Sequence, residues 1–215
     1  VGELRFADVS SGGFIQTLSV EHYDDEALEE QVESLLEFLE ERRLNRQRLS
    51  TLSFNNPFET LREGQAEVQA ALEQSFATAP VTLFEAPTGF GKTGTVLSFA
   101  LERLRDGLCD RILYLTGKTT GQNEVVRTLD KMIPDDCGFR YLCLRNRTER
   151  NIGFEDLEHL SEQELARRWK SAALNPLALF QGGTISEKNL IESAKHAGIP
   201  PYEIIRACLP FAELW

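Results

Sequence analysis

The chain has 215 residues, with 23 Lys and Arg against 34 Asp and Glu, for a formal net charge of −11. Its 41% hydrophobic and 27% charged content is that of a globular chain able to bury a core, and its length allows one large domain or a domain with an appendage. No apolar run approaches the roughly 18 residues of a membrane-spanning helix, and the acidic total disfavours nucleic acid as a general partner.

The opening "VGELRFADVSSGG" has neither a basic stretch nor an apolar stretch of a signal peptide. Leu4 to Val9 and Phe14 to Val20, joined by Ser10-Ser11-Gly12-Gly13, predict a β-hairpin. Residues 24–43 predict a helix with Leu28, Val32, Leu35, Leu36 and Leu39 on one stripe and mostly Glu on the other face. Residues 44–60 read as a polar connector ending in "FNNPF", too long for a loop inside a compact domain, so a boundary is placed there.

From residue 61 the pattern alternates between helix and strand. "REGQAEVQAALEQSF" predicts a helix, and "VTLFE" (81–85) predicts a buried strand. Thr93 to Arg105 predicts a helix stopped by Gly107. "RILYLT" (111–116) is a second predicted strand. A third helix capped by Thr119 or Thr120 follows, with Val125, Val126, Leu129 and Met132 inward. "FRYLCL" (139–144) is a third. This β-α-β-α-β order predicts an α/β fold with a parallel sheet.

After Leu144 the pattern turns helical. "SEQE" (161–164) forms a capping box, Ser186 opens a helix ending at Gly198, and "PPYE" (200–203) places proline in the first turn of another. The expected divisions are residues 1–50, a nucleotide-binding core at 51–144, a helical insertion at 145–200 and a returning helix at 201–215. Cys109, Cys137, Cys143 and Cys208 are scattered, with no CxxC pair, which predicts reduced thiols in a cytoplasmic chain.

The stretch "FEAPTGFGKTGT" (84–95) carries the sharpest chemistry. A strand, a glycine-rich turn and a helix start are the context that a phosphate-binding loop requires. Within Ala86, Pro87, Thr88, Gly89, Phe90, Gly91, Lys92 and Thr93, the two glycines let backbone amides close on phosphate oxygens. Lys92 is expected to reach the β- and γ-phosphates, and the Thr93 hydroxyl to ligate Mg²⁺. Ala86 stands where the general pattern has glycine. Upstream, Arg62 and Gln65 sit in "LREGQ", and a glutamine amide can pair with both N6 and N7 of an adenine.

Taken together, "LREGQ", "EAPTGFGKT" and "YLTGKTTGQ" resemble the first motor domain of superfamily 2 DNA helicases of the XPD/DinG type, over roughly residues 50–215. The resemblance implies a RecA-like P-loop NTPase fold, with ATP and Mg²⁺ as ligands, adenine contact at Gln65 and Arg62 among the nucleotide-binding residues. It also implies an ATP-dependent DNA helicase as the whole protein. "YLTGKTTGQ" matches that family's motif Ia. Thr116, Lys118, Thr119 and Thr120 would then contact a single-strand phosphate backbone through hydroxyls, an ammonium and helix N-terminal amides. Residues 101–150 hold 10 bases against 8 acids, whereas residues 1–50 hold 5 against 12, so a local DNA-binding surface is compatible with the acidic total. The arginines of "RNRTER" (145–150) leave two readings open, a phosphate contact or a solvated connector.

Iron–sulfur members of the family carry four cysteines in this region. Only Cys143 suits a ligand position here, and Pro200-Pro201-Tyr202 replaces the last, so no cluster is expected. The insertion is expected to fold around Leu165, Trp169, Leu177 and Phe180. The family's DEAH box and second motor domain are not in the sequence, so the chain reads as the ATP-binding part of a larger motor, without hydrolysis of its own. A nuclease fused upstream is a further possibility. Two alternatives are another P-loop ATPase or kinase, and a module that holds nucleotide or DNA without turnover.

Overall fold

The computed structural model describes residues 2–7, 14–20, 25–60, 63–135, 137–181 and 183–215. The chain divides into two compact units, Val1–Leu44 and Asn45–Trp215.

In the first unit, β1 (Gly2–Ala7) pairs antiparallel with β2 (Phe14–Val20), with Leu4 opposite Leu18 and an irregularity between Phe6 and Ala7. Period two puts Glu3 and Arg5 on one face, where their side chains pair at 2.8 Å. The turn expected at Ser10 to Gly13 lies outside the described residues. Helix α1 (Asp25–Ser50) opens with Asp25 and Glu26 and carries Arg48 in its last turn, charges that suit its dipole at both ends. It runs through residues 44–50, where a connector was expected, and so crosses into the second unit. Its apolar stripe has helical spacing, yet Leu28, Val32, Leu35, Leu36 and Leu39 are each 47–60% exposed.

The second unit holds two apolar cores. The first is built by α3 (Lys92–Arg105) and α4 (Thr119–Met132), with α2 (Gln65–Thr78) packed on α3. Leu97 and Leu101 of α3 are fully buried, as are Leu129 and Met132 of α4, and Leu49, Leu104, Val125, Phe139, Tyr141 and Leu214 complete the cluster. Burying each such side chain stabilises the fold by about 2 kcal/mol. Helix α3 ends in a Schellman motif. Gly107 adopts φ 71°, its N–H donates to Leu104 O, and Leu108 N–H donates to Arg103 O.

The second core belongs to a string of short helices: α5 (Arg147–Arg150), α6 (Glu162–Ser171), α7 (Pro176–Leu179), α8 (Glu187–Ala197) and α9 (Pro201–Cys208). Its centre is Leu142, Leu190, Ala194, Ile199, Ile204 and Cys208, with Leu165, Trp169 and Phe180 packed on its margin. The insertion therefore folds around α8 and α9, with Leu165, Trp169 and Phe180, expected at its centre, lying at its edge and Leu177 outside the cluster. Burial there pushes the Cys208 thiol up to about 12.

The expected RecA-like parallel sheet does not form. Among the described residues the only sheet is the β1–β2 hairpin. Residues 81–85, 111–116 and 139–144 form no strand. What forms is a pair of isolated parallel bridges, Ile112 to Leu214 and Tyr141 to Leu214. Ile112 N–H donates to Glu213 O, Trp215 N–H to Ile112 O, and Leu142 N–H to Leu214 O. Three residues, Glu213–Trp215, thus serve both neighbours, and one bridge on each side does not make a ladder. Val81 and Leu83, expected to be buried in the first strand, are 74% and 95% exposed. The bridged segments are tied further by a buried polar knot. Glu213, fully buried, accepts from Asn45 Nδ2 at 2.7 Å and from Arg140 N–H at 2.9 Å.

Candidate functional site

The loop from Ala86 to Lys92 is shaped by its two glycines. Gly89 and Gly91 adopt φ 84° and 90°, a region that costs other residues about 1–2 kcal/mol. A Cβ on Gly89 would meet nothing within 4 Å, whereas one on Gly91 would lie 2.7 Å from Phe58 Cε1 and 2.9 Å from Gln65 Nε2. Gly89 thus leaves space in front of the loop, and Gly91 allows close packing behind it.

Gly91 is also the N-cap of α3, and no side chain bonds the amides of that first turn. The first intrahelical bond is Thr95 N–H to Gly91 O, at 3.0 Å. The amides ahead of it lie at the positive end of the helix dipole, where an anion is favoured. No acidic residue lies in the first turn to oppose an anion. The Lys92 ammonium folds back on the loop, donating to Ala86 O at 2.7 Å and Pro87 O at 3.0 Å. Pro87, Thr88, Gly89 and Lys92 are exposed, and Thr93 is half-buried in the first turn of α3.

Two side chains from outside the loop hold it. Gln65, the first residue of α2 and 1% exposed, donates through Nε2 to Phe90 O at 2.6 Å. The Phe58 ring packs against the backbone of Gly91 and Gly94. Phe58 belongs to "NNPF", where its own N–H donates to Asn56 Oδ1 at 3.0 Å in a local turn. Sequence reasoning missed Phe58, although the Asn-Pro turn marks the backbone that delivers it. Arg62 lies outside the described residues.

The residues of the second motif surround the start of α4. Lys118 is its N-cap, with φ −138° and ψ 139°, and no side chain caps the helix. Thr119 and Thr120, expected to cap it, are its first residues and are exposed, as is Lys118. Thr116 packs against Gly121, where a Cβ would collide with its hydroxyl. A small apolar cleft of about 130 Å³ opens beside it, lined by Leu113, Leu115, Val126, Leu144 and Trp215 among others.

The arginines of residues 145–150 separate in role. Arg150 is 8% exposed and bonds Glu187 Oε2 and Cys143 O, each at 2.8 Å, which makes it structural. Arg147 pairs with Glu203 at 3.2 Å. Arg145 stands exposed. Among the described residues, no group of three His, Cys, Asp or Glu converges to hold a metal ion. The loop thus brings together helix-start amides without a side-chain cap, the Lys92 ammonium and, in the first turn of α3, the Thr93 hydroxyl, groups of the kind that bind a triphosphate and its Mg²⁺.

No protein-family model matches the chain. No curated protein matches it either. Among the described residues, no helix is long and apolar enough to cross a membrane.

Proposed function

We propose that the chain binds a nucleoside triphosphate with Mg²⁺ at Ala86–Thr93 and is the ATP-binding part of an ATP-driven DNA helicase. The observation that carries the first half is the left-handed Gly89 and Gly91 turn in front of an uncapped α3, with Lys92 folded over it. The reading rests on this loop and not on a sheet. In a bound state Lys92 would exchange the Ala86 and Pro87 carbonyls for phosphate oxygens, a charge-assisted contact stronger than the one it leaves. The bound Mg²⁺ would neutralise phosphate charge, and Thr93 would help to hold it.

The DNA half of the reading rests on the resemblance of the three quoted motifs and on the exposed Lys118, Thr119 and Thr120 at the open start of α4. In the whole motor, nucleotide turnover would be coupled to movement along a single strand. A cytoplasmic location agrees with four free thiols.

The test is equilibrium binding of Mg-ATP to the 215-residue chain and to Lys92→Ala. Loss of the charge-assisted contacts predicts about 30-fold weaker binding or more for the variant. Equal affinity in both would sink the proposal.

A further inference from the structure

We infer that Gln65 is a positioning residue for the phosphate loop, and that the site selects its nucleotide through the triphosphate without reading adenine at Gln65. This rests on the proposal that Ala86–Thr93 binds a nucleoside triphosphate. Pairing with adenine needs the amide presented to the ligand with its donor facing N7 and its acceptor facing N6. Gln65 is instead 1% exposed, and its Nε2 donates to Phe90 O at 2.6 Å. The same nitrogen lies 2.9 Å from where a Cβ of Gly91 would stand, so it packs against the loop's backbone as well as bonding it.

The consequence is mechanical. Phe90 separates the two left-handed glycines, and fixing its carbonyl fixes the peptide between Phe90 and Gly91. That peptide directs the chain into the first turn of α3, whose amides face the anion. Phe58 presses on the same backbone from the Gly91 and Gly94 side. Gln65 opens α2 behind a left-handed Gly64, φ 82°, so the helix start itself aims the amide. The loop is therefore set before a ligand arrives, and what it grips is common to all nucleoside triphosphates.

The experiment compares binding of Mg-ATP, Mg-GTP and inorganic tripolyphosphate to the wild-type chain, to Gln65→Ala and to Gln65→Glu. The wild type should hold ATP and GTP within about threefold of each other. Losing the hydrogen bond to Phe90 O should weaken all three ligands by a common factor, about five- to tenfold, in Gln65→Ala. Gln65→Glu, which sets an acceptor against the Phe90 carbonyl, should weaken them at least as much. Ser186→Ala, which destabilises a distant helix start, should leave all three affinities unchanged and so separate loop positioning from general loss of stability.

A tenfold or greater preference of the wild type for ATP that Gln65→Ala abolishes, with tripolyphosphate binding intact, overturns the inference in favour of base reading. The wild-type ratio alone decides if the variants do not fold. Failure of the wild type to bind any of the three removes the phosphate-loop proposal itself, an outcome distinct from either.

Discussion

The helix starts of the second unit fall into two groups. In the region from Asn146 onward, every α-helix among the described residues has a side-chain oxygen on its first amides. Asn146, Ser161, Asn175 and Ser186 accept from Glu149, Glu164, Leu177 and Asn189 N–H. Helix α9 opens on proline, and its Tyr202 N–H is taken by Asn151 Oδ1 at 3.1 Å. In the region before it, α2, α3 and α4 begin at Gly64, Gly91 and Lys118, and none has a side-chain cap. A cap is worth about 1 kcal/mol of stability, and it fills the position a ligand anion would take. One region is closed for stability. The other leaves its helix starts open where the two motifs lie, and replaces the missing caps with contacts from behind, Phe58 and Gln65 on the α3 loop and Thr116 against Gly121 on α4.

The largest expected effect breaks the open group from behind. Gly91→Ala combines a left-handed φ of 90° with a Cβ 2.7 Å from Phe58 Cε1. Conformational strain and overpacking together should cost about 3 kcal/mol. Gly89→Ala has a similar φ but open space around it, and should cost only about 1 kcal/mol. Urea denaturation of both variants measures the gap. Equal losses would mean that Phe58 and Gln65 do not clamp the loop.

A smaller effect tests the closed group. Asn151 is fully buried, and its Oδ1 holds the Tyr202 amide from another element. Asn151→Ala should cost about 2 kcal/mol, through a lost cap and a buried polar group left unsatisfied. Tripolyphosphate binding at Ala86–Thr93 should not change. A melt that shifts together with loss of ligand binding would show that the two regions do not divide as their helix starts do.

What could be read from sequence follows the range of each interaction. The α3 loop, the Schellman end at Gly107, and the caps Ser161 and Ser186 are set by residues within a few positions of each other, and the structure has them at those positions. The sheet was not legible, because an apolar run states what can be buried and not which segment supplies the ladder. "VTLFE" and "RILYLT" look alike, yet Leu83 is 95% exposed while Ile112 bridges Leu214. The α1 stripe has the same gap: spacing fixes that Leu28 to Leu39 share a face, and says nothing of what covers it. Gln65 shows the limit at the site. Its type and place before the loop were visible, but its bond to Phe90, 25 residues away, depends on how α2 packs.

The smallest expected effect is also the one that separates stability from function most directly. Lys118 sits at the N-cap of α4 with extended φ and ψ, the conformation in which Asp or Ser caps a helix. Lys118→Asp should therefore raise stability by about 0.5–1 kcal/mol, by bonding an open amide and by placing negative charge at the positive end of the dipole. It should also weaken binding of a single-stranded oligonucleotide, since a carboxylate would occupy the place of a backbone phosphate and one cationic contact would be gone. Lys118→Ser makes the cap without the negative charge and should stabilise by a similar amount, with a smaller loss of affinity. A higher urea midpoint with unchanged oligonucleotide affinity would show that the start of α4 is not used for nucleic acid. A lower midpoint in both variants would show that the open helix start is not a missing cap. Only stability rising as affinity falls agrees with a helix start left open for a ligand.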